Sequence, residues 1–315
     1  MRRGWGSRAR TAVLAGVAVP VLAAFAGCGD APTPQRLKLT SEVTETVRRP
    51  DRPVKAPVRI AVAPVISPRE SFRLYTPLLD YLAERLDRPV EFLQRPTYSE
   101  INDLVRNGHA DVAFVCDYAY ILGQRDFGMQ ILVVPQVMGR VTYHSLLIVP
   151  AESQARSLDD LRRKTFAFSD PLSSSGWLYP AYLLARRGER PETYFARTVF
   201  TYSHDNTVRA VADRLVDGGA VDSLVYEFMV LQSPELGRRL KVIGKSPPWG
   251  NPPVVVHPRI DPSLREQLRQ VFLEMDRDPK AKRILADLAI DRFVSLDEGY
   301  YRDVRTMAAR VKNLP

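Results

Sequence analysis

Cysteine is almost missing from this chain. Of 315 residues only Cys28 and Cys116 carry a thiol, so a scaffold of disulfides is excluded, and if Cys28 is consumed by acylation no disulfide remains. Stability must then come from apolar cores, and a chain of this length that is 45% hydrophobic can bury two of them. The four histidines (His109, His144, His204 and His257) have no metal-ligand spacing, and no G-x-S-x-G elbow, Walker loop, G-x-G-x-x-G or H-E-x-x-H occurs. No metal, no cofactor and no enzymatic activity are expected. A Ser-His-Asp site built from Ser174, His204 and Asp205 fails on geometry, because a histidine and an aspartate adjacent in one turn cannot orient each other as a triad needs. Blocks of like charge are also absent. The formal charge of +9 falls to +5 without the four arginines of the first 27 residues, and the rest are mixed in sign, so nucleic acid is not an expected partner.

Four arginines precede an apolar run from Thr11 to Gly27, which is short for a membrane span of about 20 residues and about the length of a secretory core. Residues 1–27 therefore read as an export signal. "FAGC" resembles a bacterial lipobox that would lipidate Cys28, although Phe25 stands where an aliphatic residue is usual; ordinary cleavage after the A-x-A at Ala24–Ala26 is the alternative. Either route takes the mature chain out of the cytoplasm. Residues 28–56 are polar and proline-dotted, as suits a flexible tether.

From Val58 onward short apolar runs alternate with helical periods. "VRIAVAP", "PVEFL" and "ADVAFV" read as strands, and "SFRLYTPLLDYLAERL" as a helix with Leu78, Leu79, Leu82 and Leu86 on one side. "YSEINDLVRNG" is a second helix with Ser99 as its expected cap, "VTYHSLLIV" one long strand and "TFAFS" another. This alternation predicts an α/β chain with parallel sheets.

"FAFSDPLSSSGWLYPAYLLARRG" (residues 166–188) places Ser173, Ser174, Ser175 and Gly176 between a strand and a helix. Open α/β sheets bind ligands at that edge, and a helix start there offers unpaired amides and about half a positive charge. Three hydroxyl donors suit the oxygens of a tetrahedral oxyanion. The plainer reading is that one serine caps the helix and the others are solvated. Pro180, inside the helical run, predicts a kink or a late start.

"YHSLLIVPAES", "LDDL", "FSDPLSSSG", "YSHDNTVRAVADRLVDGGAVDS" and "SPPWGNPPVVV", in this order, resemble the phosphate/phosphite/phosphonate substrate-binding proteins of ABC importers. The resemblance implies the two-lobe type II periplasmic binding protein fold with two crossover hinge strands. Lobe 1 is expected at 57–143 with 246–315, lobe 2 at 144–245, and the crossovers at "VTYHSLLIV" and "LKVIGKSPPWG". It implies ligand-binding roles for Tyr98, Tyr143, His144, Ser173, Ser174, Ser175 and His204. Asp222 reads equally as a helix cap and as an acceptor for a proton-bearing ligand oxygen. The implied partners are a small phosphorus oxyanion (phosphite, phosphate or a small alkylphosphonate) and an ABC permease, for a monomer held to the membrane by lipid. Family members that take amino-bearing phosphonates place carboxylates where this chain has Leu224 and Asn251, and an unpaired ammonium in a closed cleft is costly. Cys116, ending the strand "DVAFVC", opens an alternative: relatives of the family sense thiophilic oxyanions such as arsenite through a cysteine and partner a histidine kinase.

Overall fold

The computed structural model describes residues 55–312; the expected leader, Cys28 and nearly all of the expected tether lie outside them. Strands β1 (Val58–Val62), β2 (Val90–Gln94), β3 (Val112–Phe114) and β4 (Gln130–Val137) alternate with helices Pro68–Leu86, Tyr98–Arg106 and Asp117–Phe127. The first helix buries Leu74, Leu78, Leu79, Leu82 and Leu86, as its periodicity requires. The second is capped by Thr97 rather than Ser99. Thr97 accepts the Glu100 N–H while the Glu100 carboxylate accepts the Thr97 N–H, a reciprocal box that fixes the start two residues earlier.

The run expected as one strand at 141–149 breaks at His144 into β5 (Thr142–Tyr143) and β6 (Ser145–Pro150). Then come β7 (Thr165–Phe168), β8 (Arg197–Phe200), β9 (Gly218–Asp222) and β10 (Leu240–Lys245), followed by β11 (Trp249–Gly250), β12 (Val254–Val256) and β13 (Ile290–Val294). They assemble as a sheet of order β13-β4-β12-β3-β1-β2, a second of order β10-β6-β9-β7-β8, and the antiparallel pair β11-β5 joining the two crossover passages.

Neither large sheet is purely parallel, contrary to the expectation from alternation. β1 runs parallel to β2 and β3, but β12 is antiparallel to β3 and β4, and β6 is antiparallel to β9. Each crossover delivers the chain to the carboxyl edge of the sheet it enters: Val254 pairs with Phe114, and Ser145 with Asp222. A strand starting at that edge must run backwards. The same geometry turns the carboxyl edges of both sheets toward the crossovers, the edge where such sheets receive ligands.

Side chains alternate across each sheet. Val58, Ile60 and Val62 enter one core of the first lobe, Ala61 and Ala63 the other; in the second lobe Leu146 and Ile148 face one core, Leu147 and Val149 the other. The last helix, Arg302–Lys312, packs on Asp117–Phe127 and also on Tyr179–Ala185 of the second lobe. The carboxyl-terminal segment thus touches both lobes. Among the described residues no helix is long and apolar enough to cross a membrane.

Candidate functional site

The three serines follow β7 at the carboxyl edge of the second sheet, all buried. Ser173 is the N-cap, its Oγ accepting the Gly176 N–H at 2.9 Å. The helix then opens with a π turn at Ser174–Leu178, in which the Leu178 N–H reaches the Ser173 carbonyl at 2.9 Å. Pro180 supplies the reason, since it has no N–H to offer the preceding turn. The carbonyls of Ser175 and Gly176 are satisfied from outside the helix, by Ser145 Oγ at 2.6 Å and by the Ser169 N–H at 3.3 Å. The regular helix starts late, at Tyr179.

The three hydroxyls have three different fates. Ser173 is spent on the cap. Ser174 Oγ donates to Asp117 Oδ1 at 2.6 Å, across the lobes. Ser175 Oγ is buried with no hydrogen-bond partner in the protein. Gly176 is required by packing: a Cβ there would lie 2.5 Å from Ser169 Oγ and 3.0 Å from His204 Cε1.

His204 closes the turn from behind. Its Nδ1 accepts the Asp222 N–H at 3.0 Å and lies 2.8 Å from Ser169 Oγ, while Nε2 lies 3.3 Å from Ser173 Oγ. Because Nδ1 accepts, the ring proton sits on Nε2 and points at the serine turn. Burial lowers the His204 pKa to about 3, so the ring is a neutral donor. It cannot accept a proton from Ser173 at Nε2, and the Asp205 carboxylate accepts the Ser67 N–H at 2.8 Å. No catalytic relay forms.

Tyr98 and Tyr143 face the turn's surroundings from the first lobe and the first crossover. Tyr143 Oη donates to Asp117 Oδ1 at 2.6 Å, and the buried Tyr98 hydroxyl has no protein partner. His144 is placed otherwise. Its Nδ1 pairs with the Ser246 carbonyl at 2.7 Å, tying one crossover to the other. Asp222 caps the following helix, its carboxylate accepting the Leu224 N–H at 2.6 Å, so its capping role is realised. Asn251 donates to the carbonyls of Pro135 and Arg140, both at 2.9 Å.

Sequence reasoning did not find Asp117, the hub of the cluster. It opens the helix three residues after β3 ends, at the sheet edge that singled out the serines, and that position was the available signal. Its Oδ1 collects Ser174, Tyr143 and Cys116, whereas Oδ2 is buried without a partner. Burial raises its pKa although those donors oppose the shift. Asp170 was also missed. It accepts the Leu172 N–H and, across the lobes, the Tyr98 N–H at 3.2 Å. Cys116 is buried, with Sγ 3.4 Å from the Ser174 nitrogen and 3.1 Å from Asp117 Oδ1. Desolvation and then the Asp117 charge hold its pKa well above the usual thiol range, so it is a thiol rather than a thiolate.

Among the described residues no lysine or arginine side chain hydrogen-bonds to any of these groups. The site offers neutral donors, Tyr98 Oη, Ser175 Oγ and the His204 ring, beside carboxyl acceptors. Such a set fits a small oxyanion that also carries a proton.

A profile of the family described as "ABC transporter, phosphonate, periplasmic substrate-binding protein" matches residues 60–301. The chain belongs to that phosphonate-type periplasmic substrate-binding family. It is 27% identical over 219 residues to the phosphonates-binding periplasmic protein of Escherichia coli, covering 68% of this chain and 64% of that one. The match therefore spans just under two thirds of that relative's length. It is 26% identical over 228 residues to the phosphate-import protein of Mycolicibacterium smegmatis, covering 69% of this chain and 71% of the other. In structure it resembles a binding-protein component of an ABC phosphonate transporter from Pseudomonas aeruginosa, with a TM-score of 0.77, 27% identity and coverage of 83% and 87%. It also shares the fold of a Prochlorococcus marinus protein crystallised with methylphosphonate, with a TM-score of 0.73, 19% identity and coverage of 81% and 98%. The fold of this phosphonate-type family member is the two-lobe type II periplasmic binding protein architecture expected from the sequence.

Proposed function

We propose that this protein captures a phosphorus oxyanion outside the cytoplasm and delivers it to an ABC importer, tethered to the membrane by a lipid on Cys28. The observation that carries the reading is a pair of buried, unpartnered hydroxyls, Tyr98 of the first lobe and Ser175 of the second, the latter in the helix-opening turn whose cap Ser173 meets the His204 ring. Buried hydroxyls are normally paired, and their desolvation is costly until something accepts from them. A tetrahedral oxyanion supplies those acceptors. The E. coli and M. smegmatis relatives are named for phosphonate binding and phosphate import, which favours phosphorus over sulfur oxyanions. Lobes 57–143 with 246–315 and 144–245 would open about the paired crossovers to admit it.

Cys116 lies within the same cluster, so arsenite belongs among the probes. Its protonated, buried state disfavours the thiol-sensor reading. Calorimetry on the full-length chain with phosphate, phosphite, methylphosphonate, sulfate and arsenite tests the proposal. Saturable binding of at least one phosphorus compound, with none for sulfate, is the expected result. Binding of arsenite alone, lost in Cys116→Ala, would replace the importer reading with the sensor.

A further inference from the structure

A cavity of about 150 Å³, lined in part by Asp222, lies at the junction of the lobes. Its walls are apolar from both sides: Phe114 and Val115 at the end of β3, and Leu224, Val225 and Phe228 on the helix after β9. It meets the oxyanion cluster through Asp222, which lines the cavity, gives its own N–H to His204 Nδ1 and acts electrostatically on the Tyr98 hydroxyl. Among its lining residues Asp222 is the sole acid and there is no lysine or arginine.

Resting on the oxyanion reading above, we infer that the cavity is a subsite for an uncharged apolar substituent on phosphorus, of about the bulk of a butyl or phenyl group. The ligand class is then a hydrophobic organophosphonate rather than phosphate, phosphite or an aminoalkylphosphonate. Volume sets the size: an apolar cavity of about 150 Å³ holds one benzene molecule. The lining sets the character. An apolar group entering it leaves water at no polar cost, whereas an ammonium would be desolvated with one carboxyl to meet it, and that carboxyl already accepts the Leu224 N–H at 2.6 Å. Asn251 in the neighbouring loop is uncharged: its amide donors are committed to two backbone carbonyls, and its unpartnered Oδ1 offers an ammonium a neutral acceptor in place of a carboxylate.

The test is a ligand series on the full-length chain by calorimetry: phosphate, methylphosphonate, n-propylphosphonate, n-butylphosphonate, phenylphosphonate and 2-aminoethylphosphonate. From methyl to butyl three methylenes enter the cavity, which corresponds to roughly fiftyfold in affinity. The aminoethyl compound should bind at least tenfold more weakly than its propyl isostere. Val225→Phe, which fills the cavity from the helix side, should remove the gain for butyl and phenyl while methylphosphonate stays within about threefold. Tight phosphate binding with a flat series would overturn the subsite and leave the oxyanion reading standing. An aminoethyl compound that outbinds the propyl one would overturn it as well. No binding by any member, phosphate and methylphosphonate included, would sink both readings together.

Discussion

Replacing Ser175 with alanine should move two quantities in opposite directions. In the protein without ligand Ser175 Oγ is buried and unpartnered, and an unsatisfied buried hydroxyl costs about 1–3 kcal/mol. Removing it should leave the melting temperature unchanged or raise it, by about 2–4 °C for each kcal/mol recovered in a domain of this size. With ligand the sign reverses. If the hydroxyl donates to an anionic oxygen, its loss weakens binding by about 1.5–3 kcal/mol, roughly ten- to a hundredfold. At ligand equal to 100 times the wild-type dissociation constant the bound protein gains about 2.7 kcal/mol. A thirtyfold weaker variant at the same concentration gains about 0.9 kcal/mol, a difference that thermal shift resolves and calorimetry can confirm. A variant that melts lower without ligand yet binds with unchanged affinity would refute the reasoning, because it would make the hydroxyl a structural group.

Ser173→Ala removes the cap from Gly176 N–H and should lower stability by about 1 kcal/mol, read from chemical denaturation. Gly176→Ala should destabilise more, since its new methyl would meet Ser169 and His204; circular-dichroism melts that match wild type would contradict the packing. Asp222 has its pKa raised to about 7 by burial, above the unfolded value, so the fully present stability at low pH should be lost as pH climbs from about 4 through 7. That loss is on the order of 4 kcal/mol, and Asp222→Asn should flatten it in melts across that window. Oxyanion affinity should fall over the same upper limb as the carboxyl ionises, again less in Asp222→Asn. Cys28→Ser should shift the chain from the detergent phase to the aqueous phase; wild type already partitioning as a soluble protein would end the lipid-anchor proposal.

Much of the lobe architecture was legible because it rests on local periods. The leucines of the Pro68–Leu86 helix and the alternation in β1 and β6 each lie within one segment. The serine turn was legible for a similar reason, since a strand-to-helix loop declares its place at a sheet edge. Asp117 was not, because its importance comes from what two distant segments bring to it: Ser174 and Tyr143 meet there, beside the adjacent Cys116, only once both lobes are folded. His144 is the converse case. Adjacent to Tyr143 in sequence, it points the other way because successive residues of an extended chain face opposite sides, and its ring finds Ser246. The π turn lies between these cases. Pro180 announced an irregular helix start, but which carbonyls it would free depended on Ser145 and Ser169 standing ready to satisfy them.

On the proposed reading, an anion site without a cation is a device for discrimination. A guanidinium at this position would hold any oxyanion, because charge attraction reads little beyond sign and distance. Neutral donors beside Asp117 demand more of the ligand. It must accept from Ser175, Tyr98 and His204, and it must present a proton to a carboxyl oxygen such as Asp117 Oδ2, which has no donor of its own. A phosphonate or phosphate monoanion carries both lone pairs and a P–O–H. A fully ionised sulfate would set its charge against a buried carboxyl with no proton between them, which is the repulsive element that specificity requires. The lobes are held by contacts of the same kind, Ser67 N–H to Asp205, Tyr98 N–H to Asp170 and Ser174 to Asp117, with the Arg140–Glu227 ion pair near the crossovers. Asp117 therefore serves both closure, through Oδ1, and recognition, through Oδ2, and a ligand lacking the proton should disturb both.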